Sequence, residues 1–86
     1  MDQGSVDLFE AARTILGNVL KMNPVEIVPT LSLQDDLGID SVDFWDVVAN
    51  FDKKFGIRVS EEEAVRLATV KDLVEALEKK LKAKRR

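Results

Sequence analysis

Between two helical patterns lies an eighteen-residue connection, residues 23–40, that follows no sustained period. A stretch of that length without regular structure is unusual inside a compact domain and is commonly functional. Pro24, Pro29 and Gly38 interrupt it. Yet Ile27, Val28, Leu31, Leu33 and Leu37 are too many apolar residues for a free linker, so they are expected to pin the segment onto a core. The chain must accommodate an ordered long loop between its first two helices.

The helices themselves follow from spacing. Leu8, Ala11, Ala12, Ile15, Val19 and Leu20 recur at steps of three and four after Ser5, a candidate cap, which predicts a helix over about residues 5–22 ending at Asn23-Pro24. Gly17 inside it costs roughly 1 kcal/mol against alanine and marks a weak point. A second helix starts at or next to Ser41, with Phe44, Val47, Val48, Phe51 and Phe55 as its core face. Lys53 and Lys54 in the last turn and then Gly56 close it. Ile57-Arg58-Val59 reads as an extended link. Ser60 and Glu63 form a capping-box pattern that opens a short helix ending near Leu67-Ala68, with Ala64, Val65 and Leu67 as its apolar face. Thr69 caps a last helix with Val70, Leu73, Val74, Leu77 and Leu81 facing the core. The expectation is an all-α bundle of three longer helices and one short one, with a long first loop, as a single domain over residues 1–86 and a basic tail over about 79–86.

The loop delivers an acidic, glycine-containing run, Asp35-Asp36-Leu37-Gly38-Ile39-Asp40-Ser41, into the second helix. That places one hydroxyl at the positive end of a helix, where unpaired N–H groups favour a phosphate. Ser41 is then either the helix cap or a place to attach a group, and the residues alone leave both open. Beside the core face runs a second stripe, Val42, Trp45 and Ala49, which is either a contact surface for another protein or a widening of the core face.

Composition removes several chemistries. The 86 residues hold no cysteine and no histidine, so there is no disulfide, no thiolate metal site and no histidine base for a serine nucleophile. Asp36, Asp40, Asp43 and Asp46 read as a solvated acidic rim instead of a catalytic pair, and Asp35, Asp36 and Asp40, the conceivable hard-oxygen metal ligands, do not have the spacing of a calcium-binding EF-hand loop. Residues 1–52 carry 10 acids and 2 bases, whereas residues 53–86 carry 6 acids and 11 bases. An acidic second helix repels nucleic acid and steers towards basic protein surfaces. The basic run from Lys79 to Arg86 reads as a solvated helix end, with contact to acidic lipid or another acidic partner as its alternative. Neither a signal peptide nor a membrane-spanning run is evident, so the expected compartment is the cytosol.

Asp36-Leu37-Gly38-Ile39-Asp40-Ser41-Val42-Asp43 resembles the prosthetic-group motif of acyl carrier proteins, D-L-G-x-D-S-L-D. The resemblance continues through Phe55-Gly56-Ile57 and Ser60-Glu61-Glu62-Glu63-Ala64 to Ala68-Thr69-Val70-Lys71-Asp72-Leu73, nearly the whole chain. It implies a four-helix bundle that is not an enzyme. It implies that Ser41 receives 4'-phosphopantetheine from coenzyme A through a phosphopantetheinyl transferase, with Asp40 flanking the site where that enzyme docks. Acyl groups would then travel as thioesters, sheltered among the helices, to acyl-carrier synthetases, ketosynthases or acyltransferases with basic docking surfaces. In the family the positions matching Val42, Trp45 and Ala49 form an apolar patch for such partners, rimmed here by Asp43, Asp46 and Asp52.

The departures from the family pattern lie on that same helix. Val42 stands where leucine is usual, Trp45 is an unusual choice in the patch, and Lys53 and Lys54 replace acids. The run through Val48 is also similar to specialised carriers for lipid A acylation, although the longer segment before their last helix is lacking. The expected role is a freestanding, monomeric carrier for fatty acid, specialised lipid or polyketide synthesis. The alternative is a carrier-fold interaction module without a prosthetic group.

Overall fold

The computed structural model describes the backbone of residues 4–84 and the side chains of residues 8–83. Arg85 and Arg86, and with them the end of the basic tail, lie outside the described residues. Helix α1 spans Gly4–Leu20, α2 Ser41–Phe55, α3 Glu61–Ala64 and α4 Val70–Lys84, with a 3-10 turn at Pro24–Glu26 between the first two. This is the all-α bundle that the spacing predicts, three long helices and one short, with no strand among the described residues. The first helix begins at Gly4, so Ser5 lies within its first turn and is not its cap.

Helix α1 packs against both α2 and α4. Their shared core is built of Leu8, Ala12, Ile15 and Leu16 from α1, Val47, Val48 and Phe51 from α2, and Val70, Leu73 and Leu77 from α4. Phe44 and Phe55, the ends of the predicted α2 face, are half-buried against this core, and Phe55 stacks on Phe51. Leu16, which the predicted α1 face omitted, is fully buried.

Helix α1 stops two residues earlier than the spacing predicts. Lys21 adopts a left-handed conformation at φ 61°, and the Met22 N–H donates back to the Gly17 carbonyl at 2.9 Å. This is the six-to-one bond of a Schellman ending, made with lysine where glycine is usual. Gly17 is no accident in this geometry. A Cβ there would meet the Met22 carbonyl oxygen at 2.8 Å and the Pro24 ring at 3.0 Å. The residue that costs helix propensity is the one that lets the chain fold back over α1.

The long loop is ordered by that return. Ile27 and Leu33 are buried, and Leu31 and Leu37 pack on the core. Val28 does not help pin it: it is 39% exposed and lies outside the packed core cluster. The Ile27 carbonyl accepts from the Arg13 guanidinium at 2.9 Å, which ties the loop to α1. Farther on, the Leu33 N–H donates to Ala68 at 2.8 Å and the Val70 N–H to Leu31 at 3.0 Å, joining the loop to the start of α4.

The last third follows its caps. Ser60 and Glu63 exchange both bonds of the capping box, the Ser60 N–H donating to the Glu63 carboxylate at 2.9 Å and the Glu63 N–H to the Ser60 hydroxyl at 3.2 Å. Helix α3 is only one turn, shorter than the sequence predicts, and the chain continues as turns through Leu67. Val65, expected on its apolar face, is 84% exposed. Thr69 caps α4 as predicted: its hydroxyl accepts the Asp72 N–H at 3.2 Å, while Asp72 accepts the N–H groups of Ala68 and Thr69.

Candidate functional site

The acidic run before α2 forms a hydrogen-bonded platform. The Asp36 carboxylate accepts the Ser32 N–H at 2.7 Å, and the Ser32 hydroxyl accepts the Asp35 N–H at 3.0 Å. Gly38 sits at φ 65° and donates to the Gln34 carbonyl at 3.1 Å. Nothing lies within 4 Å of where its Cβ would be, so glycine is needed there for backbone conformation and not for space. Ile39 then drops into the core, its N–H donating to Leu33 at 3.0 Å. Asp36 therefore has a local structural task and is not a free member of the acidic rim.

Buried Ile39 presents the next two residues to solvent, and their roles separate. Asp40 is the N-cap of α2: it is extended, and its carboxylate accepts the Asp43 N–H at 2.8 Å. Ser41 is the first residue of the helix, exposed, with no hydrogen bond from its hydroxyl among the described residues. Of the two readings left open by the sequence, the cap belongs to Asp40. The hydroxyl of Ser41 stands free at a helix N-terminus, where unpaired N–H groups and the macrodipole favour an added phosphate. A phosphopantetheine ester on that oxygen fits this setting, because no hydrogen bond of the Ser41 hydroxyl among the described residues has to be given up to accommodate it.

The second stripe is surface and not core. Val42 is 69% exposed, Trp45 38%, and Ala49 is exposed as well. Trp45 leans edge-on against Phe44, ring centroids 5.4 Å apart at 80°. Around these residues stand the acids. Asp46 is exposed and Asp43 half-buried. Asp52, at the far end, faces Arg58 at 3.5 Å, so its charge is partly offset there, next to exposed Lys53 and Lys54. The negative field of α2 is concentrated in its first two turns. Among the described residues no three acidic side chains converge as they would around a metal ion.

Beside Ser41 opens a cleft of about 370 Å³. From α2 and the residues before it come Ile39, Asp40, Ser41, Phe44 and Trp45. Leu33 and Gln34 of the loop form one side, and Glu61, Ala64, Val65 and Leu67 of the α3 region form the other. No local periodicity announces this cleft, because three remote segments build it. Two signals bear on it in hindsight. Ile39 is a lone apolar residue between turn formers, and α3 is too short to bury all of its apolar residues.

The α3 side is held in place by Glu63, which accepts from Lys80 of α4 at 2.8 Å. That bond, with the Ser60 N–H as second cause, holds the Glu63 carboxyl below its ordinary range. Asp72 is likewise lowered, chiefly by the Ala68 N–H and then by that of Thr69. Both carboxylates fix the walls of the cleft from outside it.

Comparison with known proteins shows the family. A family model described as a phosphopantetheine attachment site matches residues 10–77. The chain is 33% identical over 75 residues to an acyl carrier protein of Thermotoga maritima, covering 87% of this chain and 93% of that one. It is 30% identical over 77 residues to an acyl carrier protein of Thermosynechococcus vestitus, covering 90% and 95%. A solved structure of a candidate acyl carrier protein from Mycobacterium tuberculosis superposes with a TM-score of 0.73 at 26% identity, covering 79% of this chain and 90% of that one. The cofactor of this group is covalently attached 4'-phosphopantetheine, and its members are carriers, not enzymes. On the family match across residues 10–77, with the four-helix bundle that accompanies it, the chain belongs to the acyl carrier protein family.

Proposed function

We propose that Ser41 is the attachment point of the 4'-phosphopantetheine arm and that this chain carries acyl groups on it as thioesters. The observation that carries the reading is the division of labour at the start of α2. Asp40 caps the helix through the Asp43 N–H, and the neighbouring hydroxyl is left exposed and uncommitted. In the transfer, a bond forms between the Ser41 oxygen and the phosphorus bearing pantetheine. The bond from that phosphorus to the nucleotide portion of coenzyme A breaks, and the hydroxyl proton passes to a base of the transferase. The arm supplies a thiol for thioester chemistry. The residues of this chain supply its anchor, the positive helix end beside its phosphate and an apolar cleft next to it.

The enzymes that use the carrier would approach the face bearing Val42, Trp45 and Ala49. Its acids, Asp40, Asp43 and Asp46, suit a basic docking surface. Such partners include the phosphopantetheinyl transferase and the synthetases, ketosynthases or acyltransferases of fatty acid, specialised lipid or polyketide assembly. Asp52 lies on the same helix but faces Arg58, which makes it the weaker contributor to that field.

Incubation with coenzyme A and a phosphopantetheinyl transferase, read by intact mass, tests the assignment. The native chain gains one phosphopantetheinyl group and Ser41→Ala gains none. Absence of addition to the native chain, or addition that persists in Ser41→Ala, overturns it.

A further inference from the structure

The exposed bases of α2 and α4 collect at the helix ends remote from Ser41. Both helices start at the same end of the bundle. The Ile39 N–H donates to Leu33, the Leu33 N–H to Ala68 and the Val70 N–H to Leu31, so one loop segment holds the residues that lead into each. At about 1.5 Å per residue, Lys53 lies about 18 Å along α2 from Ser41, and Lys82 about 18 Å along α4 from Val70. Residues 56–63 lead from the end of α2 to the later turns of α4. Arg58 stands beside Asp52 at 3.5 Å, and Glu63 meets Lys80 at 2.8 Å.

Lys53, Lys54, Arg58, Lys79 and Lys82 are all exposed. Apart from Arg58, none of these five pairs with a carboxylate among the described residues. The acids of α4 offset them little: Glu75 faces Lys71 at 3.9 Å, and Glu78 is half-buried. Lys84, Arg85 and Arg86 continue the basic run in sequence.

The two ends therefore differ in sign, and distance decides which one a charged surface feels. Asp40 and Asp43 stand about 15–20 Å along α2 from Lys53. In about 0.1 M salt the screening length is about 10 Å. A negative plane touching the far end attracts its bases within that length, while its repulsion of the acids near Ser41 is largely screened. The net charge of −3 on the whole chain does not forbid the contact.

The arrangement also bears on what the partner is. The bases are spread over two helix ends and the link between them, on long side chains, whereas the cleft lies beside Ser41. A folded acidic partner would need fixed charges at matching positions. A fluid anionic surface brings its charges to wherever the bases are.

We propose that this end of the carrier is a docking surface for a bilayer rich in anionic phospholipid, on which the protein stands with Ser41 directed away from the lipid. The contact is separate from the attachment of a prosthetic group and does not require it. Where Ser41 carries the arm, the arm is presented to partners while the carrier is held at the membrane.

Flotation of the full chain with vesicles tests this. Binding is expected to vesicles of mixed phosphatidylglycerol and phosphatidylcholine at low salt, and not to phosphatidylcholine alone. It is expected to be lost in about 1 M salt, where the screening length falls to about 3 Å. Each base near such a surface contributes roughly five-fold to partitioning, so Lys79→Glu/Lys82→Glu and Lys53→Glu/Lys54→Glu should each lower it at least roughly ten-fold, with folding checked by circular dichroism. Ser41→Ala should bind like the native chain. Trp45, one turn from Ser41 and the only tryptophan, reports the orientation: brominated phospholipid should leave its emission unquenched in the bound protein.

No binding at low salt, equal binding to phosphatidylcholine alone, or binding unchanged in both reversed variants overturns the proposal and leaves the attachment site standing. Tighter binding to soluble polyglutamate or to a DNA duplex at matched charge assigns the end to a different polyanion and also overturns it. Quenching of Trp45 by brominated lipid would mean that the Val42 and Trp45 face meets the bilayer, which contradicts the orientation. Failure of Ser41 to accept phosphopantetheine would overturn the attachment reading alone.

Discussion

Asp40 and Ser41 are adjacent and both are residue types that cap helices, but the structure makes only Asp40 the cap, and substitution can test that difference. In Asp40→Ala the Asp43 N–H loses its 2.8 Å partner at the start of α2. Loss of an N-cap of this kind costs about 1 kcal/mol, within a range of about 0.5–2. For a chain of this size that lowers the melting temperature by roughly 4–8 °C. Ser41→Ala removes an exposed hydroxyl that holds nothing among the described residues, and alanine is the better helix former. Its stability should stay within about 0.5 kcal/mol of the native chain. Asp40→Asn keeps a capping oxygen but removes the charge. It should lose only the interaction with the helix dipole, about 0.3–1 kcal/mol, while slowing loading by a transferase that docks on acidic residues. Urea denaturation followed by circular dichroism gives the stabilities, and timed intact mass gives the loading rates. Destabilisation of Ser41→Ala equal to that of Asp40→Ala would show that the serine caps the helix, and the division of labour at this site would fail.

Gly17→Ala should destabilise the protein by about 1–2 kcal/mol in thermal unfolding, because overpacking against the Met22 carbonyl and the Pro24 ring outweighs the gain in helix propensity. Lys21→Gly should do the reverse and stabilise by roughly 0.5–1 kcal/mol, since glycine adopts the left-handed conformation without steric cost. Acid should loosen the α3–α4 region. Glu63 and Asp72 have folded pKa values below their ordinary ones, so their contribution is present at neutral pH and is lost as pH falls through the carboxylate range near about pH 4 and below it. A melting-temperature series from neutral to acid should therefore fall less steeply in Glu63→Gln than in the native chain.

What could be read from the residues was what local chemistry decides. Lys53, Lys54 and Gly56 predict the end of α2, and Gly56 takes the left-handed position with its N–H on the Asp52 carbonyl at 2.8 Å. The Ser60–Glu63 box and the Thr69 cap likewise rest on contacts within four residues. Gly17 shows the limit of this kind of reading. Propensity counts it as a cost, and its reason lies in a carbonyl five residues on, across a turn whose left-handed residue is a lysine. The same limit applies at the site. Ser41 and Asp40 are both good caps by type, and only the bond to Asp43 tells which one performs the task.

Long-range features left less trace. The apolar content of the loop says that it packs, but not that Leu33 and Leu31 bond to the start of α4, nor that Val28 stays outside. Trp45 was legible as belonging to a second stripe. Its place in the cleft depends on Ala64 and Leu67, some twenty residues farther along, and on α3 being a single turn. Val65 was assigned inward by its spacing, but a one-turn helix has too little surface to bury it.

The central claim is that Ser41 carries the prosthetic group in the working protein. Its most direct test is peptide mass mapping of the chain isolated from its own cell. The account predicts 4'-phosphopantetheine, free or acylated, on the peptide containing Ser41 and on no other. A Ser41 peptide that is unmodified throughout, or a group found on a different residue, would contradict it.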